Sequence, residues 1–193
     1  MEKSSIYISA KAPVQDEHLK KLTLTDEYGE VDFYLLPFIR PRDVRHLFDE
    51  GVVTSYDTAV AAVLEREQID FSRRNVLVAH QFFVAGASAP EQCDSEQAYI
   101  AVGGIDSVDI RHVERFDYVA LGHIHRAQNV GSERIRYCGT PMPYDFSECG
   151  MEKSATLVEL DADRQLTLRT ITLPAPRALV EIRGTFAEIT NPE

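Results

Sequence analysis

The 193-residue chain has no tryptophan, few cysteines and no apolar run approaching the roughly 20 residues that a membrane-spanning helix needs. Its three cysteines, Cys93, Cys138 and Cys149, are odd in number and show no Cys-x-x-Cys spacing. That pattern argues against a disulfide framework and favours a reducing compartment. No signal-peptide pattern opens the sequence. These absences predict a cytoplasmic protein with no membrane partner.

Positive charge is also scarce. The chain has 20 Lys and Arg against 31 Asp and Glu, a formal net charge of −11, so no broad basic surface indicates nucleic-acid binding. A DNA substrate would therefore require metal ions or a partner to supply much of the attraction. The 44% hydrophobic and 26% charged residues are typical of a globular protein with one core and a small appendage.

Two histidines stand directly after a predicted buried strand. The apolar run from Tyr118 to Leu121 leads into Gly122, whose missing side chain permits a sharp turn and a close neighbour. His123 and His125 are two residues apart, so in an extended segment their rings lie on one side. Two neutral nitrogen ligands so placed indicate a transition-metal site. A polar loop whose histidines only form hydrogen bonds is the alternative.

A third histidine ends a second apolar run, which extends from Asn75 to Ala79. Continuous apolar runs of this length are typical of strands buried on both faces of a parallel sheet. Ligands of open α/β sheets collect beyond the carboxyl ends of such strands. We therefore expect His80 to lie beside His123 and His125, and three converging histidines favour a metal site.

The remaining pattern predicts short elements around these two strands. A strand is expected at 6–9, a hairpin from the runs 19–25 and 31–38, and antiparallel strands at 155–159 and 165–172. Pro41 is suited to the first turn of one helix, and Ser55 can cap a second helix. The glycine-containing stretch 82–109 predicts a long functional loop. Residues 174–193 are expected to form a linker and the start of another element.

Several motifs occur in an order that resembles the SbcD nuclease subunits, which are calcineurin-like metallophosphoesterases. The matching stretches are residues 34–38, 78–81, 102–104 with Asp106 and Asp109, 116–126, 136–141, 144–148 and 153–155. They cover nearly the whole chain, which makes the resemblance far more specific than Gly-His-x-His alone.

The resemblance implies an α/β fold in which this chain forms the second half of a sandwich of two mixed sheets flanked by helices. Residues 1–173 would belong to the nuclease core, and 174–193 would be a linker and the start of a truncated capping domain, with its opening strand at 179–184. The family's first half carries an Asp-x-His, a Gly-Asp with a bridging aspartate and a Gly-Asn-His-Asp. We expect that half to be missing, so that the chain is a fragment or one part of a split pair.

The same resemblance implies a site with two manganese ions, in which His125 serves one ion and His80 and His123 serve the other. It implies no catalytic residue here, because the family's protonating histidine lies in the first half. Three imidazoles without a bridging carboxylate are more typical of a single zinc or nickel ion, so at most one ion is expected. Five nearby acids match no ligand position and are interpreted as solvated or structural, namely Asp106, Asp109, Asp117, Asp145 and Glu148.

Two functions of different classes follow. The first is part of an SbcD-like DNA exonuclease and endonuclease that acts with an SbcC-like ATPase in repair and recombination, and is inactive as this chain alone. The second is a non-catalytic remnant that binds a partner or DNA. A phosphodiesterase for small nucleotides is a weaker third hypothesis, because the resemblance extends beyond the shared metal motifs. A missing half would leave an apolar sheet edge near residues 75–80, so we also expect a homodimer or aggregation.

Overall fold

A mixed sheet forms the centre of the computed structural model, which describes residues 6–97, 106–174, 177 and 179–190. The described residues form ten strands: β1 (Lys20–Asp26), β2 (Gly29–Leu36), β3 (Arg74–Ala79), β4 (Phe82–Val84), β5 (Ser107–Asp109), β6 (Tyr118–Leu121), β7 (Gln128–Val130), β8 (Ser132–Tyr137), β9 (Ser154–Leu160) and β10 (Leu166–Thr172). They also form four short α-helices: α1 (Pro41–Val44), α2 (Tyr56–Arg66), α3 (Asp94–Gln97) and α4 (Phe186–Ile189). Three 3₁₀ turns lie between these elements, at Arg45–Leu47, Ile110–His112 and Phe146–Glu148.

Six of the described strands make the central sheet, in the order β1-β2-β3-β6-β8-β7. The four inner strands β2, β3, β6 and β8 are parallel, and the two outer strands are antiparallel to their neighbours. The carboxyl ends of the four parallel strands therefore meet at one edge of the sheet. The expected α/β class is confirmed, as is the hairpin of β1 and β2.

One face of the sheet is covered by α2 and the segments around it. Ser55 caps α2 by accepting the backbone N–H of Thr58 at 3.1 Å, as its position in the sequence predicts. Apolar residues of the helix are buried against the sheet, among them Ala59, Val60 and Val63. Within the described part of the chain, no helix has the length and apolar character needed to cross a membrane.

The opposite face is covered in part by the antiparallel pair β9 and β10. Val31, Val76 and Tyr118 on the sheet pack against apolar side chains of this pair, such as Val158 and Leu168. The alternation of exposed and half-buried residues along β9 reflects a strand with one face on this small core. The two strands predicted from that alternation are confirmed.

The same face is uncovered nearer to the carboxyl ends of the strands. A cleft of about 600 Å³ lies there, with Leu35, Val78 and Ala120 on its floor and Tyr7 and Ile8 at its side. Val78 is 40% exposed although β3 lies in the middle of the sheet. The expectation of an open edge near residues 75–80 is therefore wrong, because β2 and β6 pair with both sides of β3. The exposed apolar surface lies on the face of the sheet and not at its edge.

Some predicted strands and the predicted long loop differ from the structure, all of them in short or irregular segments. Residues 6–9 and 179–184 form no strand, and a four-residue helix, α4, follows the latter. The stretch expected to be a loop contains β4 and β5, which pair in parallel. The Val-Gly-Gly motif at 102–104 lies outside the described residues.

Candidate functional site

The site lies where the parallel strands end. His80 follows β3 directly, and Gly122 and His123 follow β6. The two strands are paired, with Ala79 opposite Leu121, and the N–H of Gly122 donates to the carbonyl of Ala79 at 2.9 Å. The predicted convergence of these two strand ends is confirmed, since strand pairing alone makes the histidines neighbours.

His80 and His123 are in direct ring contact. Their ring centroids are 5.2 Å apart and the rings are nearly perpendicular, at 78°. The contact requires Gly122, because a Cβ at that position would lie 2.8 Å from Nδ1 of His80. The glycine of the Gly-His-x-His motif therefore makes room for the imidazole of the neighbouring strand.

Aromatic side chains surround the ring of His123. Phe38 stacks on it with centroids 5.9 Å apart and 22° between the planes, and Phe82 meets it at 6.3 Å and 64°. The backbone of His123 has a φ of +91°, in the left-handed region that side-chain-bearing residues seldom adopt. Such strain persists where the surrounding structure imposes it and is common at functional sites.

Both histidines are biased toward the neutral form. Burial lowers the pKa of His123, and the neighbouring His80 lowers it further, while the charge of Asp106 partly opposes these effects. Desolvation also lowers the pKa of His80, although this ring keeps contact with solvent. Neutral imidazoles present a nitrogen lone pair, which is the form that binds metal ions.

His125 is held separately from this pair. Its Nδ1 lies 3.0 Å from Oε1 of the buried Glu148, which also forms an ion pair with the buried Lys153. Burial by itself raises the pKa of Glu148, but hydrogen bonds from Lys153, His125 and the backbone of Tyr144 together keep that pKa below its ordinary value. Glu148 is therefore a buried carboxylate beneath the histidine.

A second glycine shapes the loop that carries His125. Gly139 has a φ of +75°, and a Cβ there would lie 2.9 Å from both the backbone nitrogen of Ala127 and the carbonyl oxygen of His125. The loop after β8 can therefore pack against the loop after β6 only with glycine at this position. This packing lets the N–H of Thr140 donate to the carbonyl of His125 at 3.1 Å.

The three histidines line one cleft of about 450 Å³, which we call the histidine cleft. Its other lining residues include Glu96, Gly139 and Thr140. Among the residues that the structure describes, no three His, Cys, Asp or Glu side chains come together as a set that could hold a metal ion. The structure thus brings His80 and His123 together and keeps His125 apart on the same cleft.

These donors fit a transition metal in part. His80 and His123 offer two neutral nitrogens at one place, and His125 offers a third elsewhere in the cleft. Oδ1 of Asp106 is buried and accepts no hydrogen bond from the described residues, and its charge acts on His123. Within the described residues, the site therefore has imidazole donors but lacks a carboxylate that bridges two ions.

The five acids near the motifs are mostly not solvated. Asp109 and Asp145 cap 3₁₀ turns, and Asp117 accepts the N–H of Asn75 at 2.7 Å. Asp106 and Glu148 are buried. Solvation is therefore wrong for Asp106, Asp117 and Glu148, which are all buried. The structural interpretation is confirmed for the two caps, for Asp117 and for the ion-paired Glu148. Sequence reasoning undervalued Glu148, because a glutamate followed five residues later by Lys153 has no helical or strand periodicity that would indicate burial.

One Asp-x-His tripeptide does occur in the chain, at residues 16–18. It lies in an exposed turn, and His18 pairs with Glu67 at 3.3 Å. It does not line the histidine cleft.

Comparison with known proteins identifies relatives of this chain. No protein-family model matches the sequence. The SbcD component of the SbcCD nuclease from Staphylococcus saprophyticus is 31% identical over 189 residues, which is 97% of this chain and 47% of the relative. The chain is therefore similar to about half of an SbcD protein over nearly all of its own length. The resemblance inferred from the sequence motifs is confirmed.

A second SbcD sequence supports the same relationship. The SbcD component of the SbcCD nuclease from Staphylococcus epidermidis is 29% identical over 165 residues, covering 84% of this chain and 43% of that protein. The chain thus spans less than half the length of these two SbcD relatives, although most of the chain is matched.

Proposed function

We propose that this chain supplies the histidine-bearing part of an SbcD-like, metal-dependent DNA nuclease site. It would form the second half of a metallophosphoesterase sandwich of two mixed sheets. The observation that carries the proposal is the meeting of His80, His123 and His125 on one cleft at the carboxyl edge of parallel strands, in a relative of SbcD. Clefts at this edge are where α/β proteins bind ligands.

Manganese is the ion that we propose for this cleft. His80 and His123 would hold one ion, and His125 would hold a second ion in a completed site. When bound, such ions polarise a phosphate and lower the pKa of a bound water. The chain's own contribution is to hold neutral imidazoles in place. Gly122 gives the His80 ring its space, and Phe38 and Phe82 restrict the ring of His123.

The isolated chain is expected to be inactive. Two dications bound close together repel each other, and a bridging carboxylate normally offsets that repulsion. The described residues offer imidazoles without such a bridge, so we propose at most one ion per chain. The missing groups would come from residues or a chain that correspond to the unmatched part of the SbcD relatives.

DNA and an SbcC-like ATPase are the proposed substrate and partner. The relatives are named as components of the SbcCD nuclease, which supports an assembly with a second type of chain. The net charge of −11 also favours binding of DNA through a second component, because this chain alone repels a polyanion. A basic partner and bound metal ions would supply the attraction that the chain lacks.

A chimera tests the proposal directly. The 189-residue match in the Staphylococcus saprophyticus relative would be replaced by this chain, and manganese-dependent cleavage of a labelled duplex would be measured. We expect the chimera to cleave, and His123→Ala or His125→Ala to abolish most of the cleavage without unfolding the protein. Leu24→Ala, which alters an exposed strand residue outside the cleft, is the matched control.

Three outcomes would reject the proposal. Normal cleavage by the His123→Ala chimera would remove the metal assignment. Metal-dependent cleavage by the isolated chain, lost in His125→Ala, would show that the chain completes its own site. A folded chimera that binds DNA without cleaving it would favour the non-catalytic binding module.

A further inference from the structure

We infer that Glu148 is a positioning residue for His125, which it fixes with the proton on Nδ1 and the lone pair of Nε2 free for a metal ion. The inference rests on the proposed function only in taking His125 as a metal ligand. The geometry beneath the ring carries the rest.

The tautomer follows from what Oε1 of Glu148 accepts. This oxygen lies 3.0 Å from Nδ1 of His125 and also accepts the backbone N–H of Tyr144 at 3.2 Å. The ammonium of Lys153 keeps Glu148 ionised, so Oε1 has no proton to donate and Nδ1 carries the proton. No hydrogen bond joins Nε2 to another group within the described residues.

The other oxygen of Glu148 is held just as firmly. Oε2 accepts from the ammonium of Lys153, and the two side chains are 0% and 5% exposed. Lys153 also donates to Oγ1 of Thr140 at 3.0 Å and to the carbonyl of His125 at 3.3 Å. A buried carboxylate is tolerated only when it is paired and hydrogen-bonded in this way. The ion pair therefore keeps a charged acceptor under the imidazole.

The backbone of His125 is fixed by the same group of residues. Its N–H donates to Oε1 of Glu96, a second buried carboxylate that also accepts the N–H of Cys93 at 2.6 Å. Its carbonyl accepts from Lys153 and from the N–H of Thr140. The ring, the N–H and the carbonyl of His125 are thus all held. By contrast, the rings of His80 and His123 have no carboxylate hydrogen bond within the described residues.

A carboxylate that accepts one ring N–H of a histidine selects its tautomer, fixes the ring and strengthens the other nitrogen as a ligand. In metal sites such outer partners affect affinity by about 10- to 100-fold. Glu148 is therefore expected to act through His125 and to contact neither metal nor substrate itself.

Two double variants of the full chain isolate this role. Glu148→Gln with Lys153→Met retains an acceptor at Oε1, whereas Glu148→Met with Lys153→Met removes it. Both replace the buried ion pair by neutral groups of similar volume, a change that is often tolerated. Nitrogen-15 NMR of the histidine rings then reports the tautomer of His125, with His80 and His123 as internal references.

In the wild-type chain we expect His125 to have a protonated Nδ1 and an unprotonated Nε2. The Gln variant should keep that pattern, and the Met variant should lose it, while the signals of His80 and His123 stay in place. A proton on Nε2 in the wild-type chain would overturn the inference, even if neither variant folds. An unchanged tautomer in a folded Met variant would also overturn it.

Manganese titration separates this inference from the proposed function. In the wild-type chain, Mn²⁺ should broaden the histidine ring signals of the cleft. If no ring signal broadens but the tautomer depends on Glu148 as described, the proposed metal site fails and the positioning role stands. If Mn²⁺ binds but the tautomer is independent of Glu148, the metal site stands and the positioning role fails.

Discussion

At the scale of single residues, His123 combines a side chain proposed to bind metal with a backbone conformation that disfavours any side chain. Its φ of +91° suits glycine, yet the imidazole is placed against His80 and Phe38. A residue kept in an unfavourable conformation is expected where the side chain is needed for function. The residue is therefore a site where stability and function can be separated by mutation.

Replacing His123 by Gly and by Ala should separate these two contributions. Both variants lose the imidazole, but only Ala keeps a Cβ in the left-handed region. We expect the free energy of unfolding of His123→Gly to be about 1 kcal/mol higher than that of His123→Ala. The strain that Ala has in the left-handed region of the folded chain should outweigh the larger conformational entropy of glycine in the unfolded chain. Urea denaturation measures the difference. Equal stabilities would show that the backbone at residue 123 is unstrained.

The lowered pKa values of His80 and His123 predict an acid-sensitive fold. Each pKa is below its ordinary value of 6.5 in the folded chain, so the unfolded chain binds more protons in that range. The contribution of these two histidines to the free energy of unfolding should thus be constant well above pH 6.5, fall as the pH drops below 6.5, and level off below the folded pKa values.

This loss can be assigned by mutation. In the double variant His80→Gln and His123→Gln, the free energy of unfolding should depend less on pH below 6.5 than in the wild-type chain. His46→Gln, on the short helical segment after α1, is the control for removing an imidazole. The prediction would be contradicted by identical pH profiles for the wild-type chain and the double variant.

At the scale of elements, Arg74 links three parts of the structure. It starts β3, is 5% exposed, and donates to Asp26 at 2.5 and 3.0 Å. It also donates to the carbonyl of Gly29 at 2.9 Å and to that of Leu160 at 3.0 Å. One guanidinium therefore joins the turn between β1 and β2, the start of β3 and the end of β9.

Removing this guanidinium should weaken the packing of both hairpins. We expect Arg74→Met to lower the free energy of unfolding by roughly 2–3 kcal/mol, because it leaves carbonyls and a carboxylate without their donor. Arg169→Met is the matched control, since its ion pair with Glu159 is largely exposed and should contribute less than about 1 kcal/mol. Thermal or urea unfolding compares the two. A similar loss in both variants would show that Arg74 has no linking role.

The elements also show what could be predicted from sequence. The hairpin β1–β2, the capped helix α2 and the strands β3 and β6 carry strong periodic or turn signals, and each is present. The short parallel pair β4–β5 has no such signal, because three-residue strands have no usable period. Residues 6–9 have the apolar pattern of a strand, but they form none, and Tyr7 and Ile8 instead line the cleft on the face of the sheet.

The candidate site was predictable in the same uneven way. His80 and His123 could be placed together because both end strands of one parallel sheet. The environment of His125 could not, because Glu96, Glu148 and Lys153 reach it from three separate places, namely the short helix α3, a 3₁₀ turn and the residue before β9. Their burial depends on loops that are fixed by Gly139 and by hydrogen bonds, and such contacts have no periodic signature in sequence.

At the scale of the whole molecule, the uncovered apolar face should control association. Val78 is 40% exposed in the middle of the sheet, and Leu35 and Ala120 share its cleft. Exposed apolar surface of this kind promotes self-association. We expect the isolated chain to dimerise or aggregate, and Val78→Glu to shift it toward a monomer in light scattering.

Leu24→Glu is the control for this change, because Leu24 is 50% exposed on the outer strand β1. It adds the same charge outside the cleft and should leave association unaltered. A wild-type chain that is monomeric at high concentration would contradict the prediction, as would an equal effect of the two variants.

The strand order also has a consequence for the time course of folding. The hairpins β1–β2 and β9–β10 each close a short turn, whereas Asn75 and Asp117, which join β3 to β6, are 42 positions apart. Contacts between residues that are far apart in sequence have a larger entropic cost of loop closure and form more slowly. Pulse-labelled hydrogen exchange should therefore find amides of β1 and β2 protected before those of β6. A refolding chain would acquire its hairpins first and bring His80 to His123 last.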